Sequence, residues 1–160
     1  LNYNKLTEEL KELQSKIVLD KDPISTGLNF NSQLAELQAA KERVSQILLD
    51  AIWNKQAKEI VYKKAKHDYE KAYNNTITSQ EVRSLKSADL RESKTESLLV
   101  EIKDKLLQAE MDLDVANTFY KTVHHVYDLL KSKNENIVNQ IRVVHTLTGL
   151  DPSVKLKINS

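Results

Sequence analysis

The sequence predicts a nearly all-α protein built on a long antiparallel, coiled-coil-like helical hairpin. A short N-terminal helix precedes the hairpin, and a C-terminal helix follows it, either separate or as a continuation. Two observations lead there, and a third narrows the chemistry. From Leu99 to Leu130 an apolar residue recurs at alternating steps of three and four: Leu99, Ile102, Leu106, Ala109, Leu113, Ala116, Tyr120, Val123, Tyr127, Leu130. Such a seam is the buried edge of a coiled coil or helical hairpin. The chain has only two Gly and two Pro, and none falls between Leu28 and Thr148. A sheet-containing fold would need turn residues in that span. No Cys is present, so disulfides, thiolate nucleophiles and Cys-based zinc sites are excluded.

The first helix is expected from about Asn4 to Leu19, within a segment 1–20. Leu6, Leu10, Leu13 and Ile17 share one side, and Glu8, Glu9 and Glu12 sit early, where the helix dipole favours acids. It can pack on its neighbours or serve as an oligomerising arm. Asp20 to Phe30, with Pro23 and Gly27, reads as a loop. The second helix starts at Asn31 or Ser32, either of which can cap free N–H groups, and covers 31–74. Its stripe is Leu34, Leu37, Val44, Leu48 and Ala51, then Tyr62, Ala65, Tyr69 and Ala72, with Lys55 and Lys58 interrupting it.

Asn74 to Thr78 is expected as the turn, with Thr78 and Glu81 at capping-box spacing opening the third helix. That helix covers 79–131, and polar Ser93 to Ser97 is a place for a bend. The register persists through Asn134, Ile137, Ile141 and Val144, so 133–148 is either a separate helix or the same rod. A single rod of some seventy residues would be ~105 Å long. Gly149 suits the position after a helix and Pro152 suits a stop, leaving 149–160 as a tail. The whole of 1–160 reads as one elongated domain. Seam residues beyond the reach of the second helix are expected to be covered by the first helix or by another subunit, which makes a homo-oligomer the expectation.

The net charge is +1, yet its distribution is uneven. Lys55 to Lys94 holds ten basic and six acidic residues, whereas Leu1 to Asn54 holds six and eight. The densest part is Tyr62 to Tyr73. There Lys63, Lys64, His67 and Lys71 point away from the stripe and Lys66 lies at its edge. Across the turn Arg83, Lys86, Arg91 and Lys94 can add to the same field. Clustered cations of this kind contact phosphates and displace counterions, and interleaved aromatics can stack on unpaired bases. Tyr73 is the candidate platform, while Tyr62 and Tyr69 fall on the core stripe. The alternative is a merely solvated lysine face. Trp53, off the main stripe, suits either a subunit contact or ordinary packing.

Reactive chemistry is sparse. Phosphate-cradling loops need glycines that are missing from the body of the chain. His124 and His125 diverge by about 100° on a helix, and His124 with Asp128 makes at most a weak cation pair. Asp112 and Asp114 point apart, as solvated residues would. No enzyme activity, cofactor or metal is expected, nor a membrane span, since every apolar run is cut by charges. The absence of Cys and of a basic-then-apolar start fits a cytoplasmic location.

Lys64-Ala65-Lys66-His67-Asp68-Tyr69 resembles the Lys-Ala-Arg-Leu-Asp-Tyr segment of the UvsY-type family of phage recombination mediators. Leu130-Lys131-Ser132-Lys133, followed by Ile137 and Ile141, is similar to that family's Ile-Lys-Ser-Arg stretch, and Ser87-Ala88-Asp89 supplies a third short match. The resemblance implies a ring-like oligomer that binds single-stranded DNA. It further implies that the protein helps load a RecA-like recombinase onto strands covered by single-strand-binding protein. The family's DNA-contacting cations fall on Lys64 and Lys66. Lys at 66 in place of Arg supplies a point charge without a bidentate fork. The alternative expectation is a structural or adaptor coiled-coil protein, a virion component or an inhibitor of a host protein, without DNA binding.

Overall fold

The computed structural model describes residues 1–16 and 30–150. Of the loop expected at 20–30 only Phe30 is described, and it opens the second helix one residue before the expected start at Asn31 or Ser32; the last turn expected for the first helix and the tail from 151, with Pro152, lie outside the described residues. Those residues are all-α, in the order α1 (Tyr3–Lys16), α2 (Phe30–Ile77), α3 (Gln80–Arg83), α4 (Ala88–Leu98) and α5 (Val100–Leu150). They divide into two compact units, one made of 1–50 with 120–160 and the other of 51–119.

The first unit packs three helical segments around one core. Leu10 comes from α1, Leu37, Ala40, Val44 and Ile47 from α2, and Val123, Val126, Leu130, Ile137 and Val144 from α5. Two polar contacts tie α1 to both partners. Arg43 donates from Nε and Nη2 to the Glu9 carboxylate, the latter at 2.9 Å, and Lys133 Nζ donates to the Gln14 carbonyl at 3.3 Å. The far end of the α5 seam is therefore covered inside the chain. Tyr120, Val123, Tyr127, Leu130, Ile137 and Ile141 are buried or half-buried there. α1 acts as a packing helix of the bundle, with Leu10 only 1% exposed.

The second unit is an antiparallel hairpin of α2 and α5, closed by α3 and α4. Lys58 of α2 meets Asp112 of α5 at 2.6 Å, while Tyr69 lies in the electrostatic reach of Lys103. The pairing thus rises along one helix as it falls along the other. Seam residues Leu99, Ile102, Leu106 and Leu113 are buried or half-buried. Tyr62, Ala65, Tyr69 and Ala72 are only half-buried, because two helices enclose a single seam and leave its edges to water.

Several boundaries differ from the sequence expectation. Asn74 to Ile77 are helical, so the turn begins at Thr78. The cap is Ser79, whose hydroxyl accepts from the Val82 N–H at 3.4 Å. Thr78 Oγ1 instead donates back to the Asn74 carbonyl at 2.7 Å, satisfying the end of α2. Glu81, released from a capping box, pairs with Lys94 at 3.1 Å.

The expected single third helix is broken into three. Ser84 ends α3, Ser87 caps α4 by accepting from the Leu90 N–H at 3.2 Å, and Leu99 divides α4 from α5. Ser93 to Ser97 stay helical, and Thr95, fully buried, satisfies its hydroxyl by donating to the Arg91 carbonyl at 2.8 Å. From Val100 onward α5 runs unbroken through Ser132–Asn136 and includes Gly149, which therefore does not end the helix.

Candidate nucleic-acid interface

The basic cluster lies on the last turns of α2, in the hairpin unit. Lys63, Lys64, Lys66, His67 and Lys71 are all exposed. Lys64, His67 and Lys71 follow one another at steps of three and four, so they form one line about 10 Å long on the outer surface of the helix. Lys63 pairs with Glu59 at 2.7 Å and is partly neutralised, which also holds the Glu59 carboxyl below its usual range. Among the described residues no carboxylate pairs with Lys64, Lys66, His67 or Lys71. The three lysines among them keep their ammonium groups hydrated and unpaired, the condition for exchanging counterions with a polyanion.

The remaining expected contributors divide. Arg83 and Lys86 are exposed on α3 and in the α3–α4 connection, again without an acid partner among the described residues. Arg91 is half-buried and donates from Nε to the Leu85 carbonyl at 2.9 Å, so it braces that connection. Lys94 is engaged by Glu81. Tyr73 is half-buried, its ring 6.1 Å from that of Tyr69 in a tilted pair, so the expected stacking platform is used within its own helix. The cationic row stands without an aromatic surface of its own.

Three features escaped sequence reading. First, Lys58, which interrupts the α2 stripe, finds a partner across the seam: its ammonium holds the Asp112 carboxyl below the usual carboxylate range, with Gln108 donating to the same group. Asp112 is thus a half-buried seam partner and not a solvated acid. The available signal was a lysine at 58 in one stripe and an acid at 112, one residue before Leu113, at the edge of the other. Second, the two helices of this unit carry opposite charge. Residues 51–77 of α2 hold six basic and three acidic groups, and 100–119 of α5 hold two and five. Third, Trp53 is 69% exposed, which removes the ordinary packing role.

His124 Nδ1 lies 3.0 Å from Asp128 in an exposed pair, and its ring meets Tyr120 edge-on. No group of three or more potential metal ligands is assembled among the described residues. No helix among them is long and apolar enough to cross a membrane. The chain matches no protein-family model, and no curated protein or solved structure is significantly similar to it.

Proposed function

We propose that this protein is a self-associating helical binder of single-stranded DNA, acting as a recombination mediator that helps load a RecA-like recombinase. The observation that carries DNA binding is the exposed line of Lys64, His67 and Lys71 on the outer face of α2, with Lys66 exposed at the edge of the inner stripe, all standing without carboxylate partners. Arg83 and Lys86 extend the field beyond the end of α2. The acidic outer surface of α5 supports a one-sided mode, since it repels phosphate and leaves the α2 side to the strand. The role in recombinase loading rests on the short sequence resemblance alone. Contact through phosphates predicts tolerance of base sequence, because point-charge contacts carry no base readout.

The test is the binding of labelled oligo-dT by the wild type and by the variant Lys66/Lys71/Arg83/Lys86→Gln, followed as salt is raised. Wild-type affinity should fall steeply with salt. The variant should bind weakly, with the log–log slope reduced by about 0.7 for each phosphate it no longer neutralises. Its helical content should be unchanged. Equal affinity of the two proteins, or binding indifferent to salt, removes DNA binding. The structural or adaptor reading then stands, and purification without nuclease should yield a discrete protein partner in place of nucleic acid.

A further inference from the structure

The hairpin unit leaves two apolar stripes in water. On α2, Trp53, Ala57 and Ile60 are exposed at steps of four and three, with Trp53 at 69% and Ile60 at 68%. On α5, Leu107, Met111 and Val115 are exposed at steps of four, with Met111 at 63%. Neither belongs to the seam. Trp53 and Ile60 lie two residues, about 200° of helix, from Ala51 and Lys58 on the seam line, and Leu107 and Met111 lie two residues either side of buried Ala109. Each stripe is therefore on the back of its helix, facing away from the other. The Lys58–Asp112 contact sets 53–60 of α2 beside roughly 110–117 of α5, so the two stripes overlap in level along the hairpin. Contiguous exposed apolar surface of this kind marks a contact site.

We infer that the α2 stripe of one copy docks on the α5 stripe of a second copy. Charge selects this pairing over the alternatives. With the Lys58–Asp112 pair already spent inside the hairpin, the α2 segment still holds five cations against three acids and the α5 segment four acids against two cations, and Lys64, exposed and without a carboxylate partner, follows Ile60 at a step of four. Asp104, Glu110 and Asp114 are exposed beside the α5 stripe without an ion-pair partner among the described residues. Back-to-back contact of like helices would set like charges together, whereas α2 against α5 sets opposite charges together around an apolar centre. The contact is heterologous, so every copy offers one face of each kind and the assembly grows until it closes. Lys66 and Lys71 lie about 9 and 16 Å beyond Ile60 along α2, clear of the apolar turns. This deepens the assembly part of the proposed function. It is tested without nucleic acid, so either can fail alone.

The experiment is solution mass by light scattering for the wild type, Trp53→Glu, Met111→Glu, the double variant, and an equimolar mixture of the two single variants. All are checked for unchanged helical content by circular dichroism. The wild type should exceed the 18.4 kDa chain mass by an integer factor. Each single variant has one spoiled face and should run as a monomer, as should the double variant. The mixture should recover a dimer and nothing larger, because only the intact α5 stripe of one and the intact α2 stripe of the other can meet. Several results would overturn the inference. They are a monomeric wild type, single variants of wild-type mass, or a mixture that stays monomeric. Loss of assembly in Trp53→Glu alone would point instead to α2 meeting α2.

Discussion

At Glu9 and Asp112 a carboxylate is held by a cation from another helix, Arg43 and Lys58 respectively. The guanidinium hydrogen bond lowers the Glu9 pKa from its ordinary 4.5, and the ammonium hydrogen bond lowers that of Asp112 from its ordinary 3.8. A carboxyl with a depressed folded-state pKa adds stability above its unfolded value and loses it as pH falls through the folded one. Stability should therefore be level near neutrality and decline below about pH 4.5. The Glu9→Gln/Asp112→Asn variant should be less stable than wild type at pH 7 and show a flatter decline between pH 5 and pH 2, followed by thermal melting. An equally steep acid limb would mean other carboxylates govern it. The Glu9–Arg43 pair, being partly exposed, should contribute no more than about 1 kcal/mol in a double-mutant cycle.

At the scale of the element, α5 shows how a seam is distributed. Ala109, Ala116, Val123, Leu130, Ile137 and Val144 are buried at every seventh position, and Phe119 and Val126 add a second buried column beside them. The second column starts at Phe119, the last residue of the hairpin unit, and continues at Val126 in the unit where α5 packs with both α1 and α2. Leu130, fully buried, should cost about 2–5 kcal/mol on truncation to Ala, read from urea unfolding. Leu98, about half exposed at the end of α4, should cost no more than about 0.5 kcal/mol. Equal losses would contradict the placement of the core.

In α2 the alternation of three and four slips once. Positions 44, 47 and 51 are followed by 55 and 58, two steps of four in succession. Such a stutter shifts the buried face around the helix. Lys55 and Lys58, both half-buried, occupy the seam directly after the slip. The division between the two units falls at the same place, after Asp50.

Over the whole molecule the core is unequal. The first unit is filled by Leu10, Leu37, Ile47, Leu130, Ile137 and valines, whereas the hairpin unit buries three alanines, Ala51, Ala109 and Ala116, with Val82, Thr95, Leu99 and Phe119. Burial of a Leu or Ile contributes about 1.5–3 kcal/mol, and Ala far less. Amides of α2 around 37–47 and α5 around 123–144 should thus exchange with solvent water more slowly than those of 62–72 and 102–113, measured by hydrogen–deuterium exchange. The reverse order would show that the hairpin draws stability from contacts outside its own seam.

Helix content, the α5 seam and the basic run from Lys63 to Lys71 were legible because they depend on local spacing and composition, properties a linear chain of residues carries by itself. Spacing also placed the chain among all-α folds, since the lack of Gly and Pro over the central span leaves no turns for sheets. Tertiary structure alone decided which partner each group meets. It gave the surplus seam to α1, put Lys58 opposite Asp112, turned Tyr73 onto Tyr69 and Arg91 onto the Leu85 carbonyl, and left Trp53 in water. The reason is physical. A helix's own periodicity specifies which residues share a face, but what covers that face is set by through-space packing between segments far apart in the chain, where burial and charge pairing are settled together.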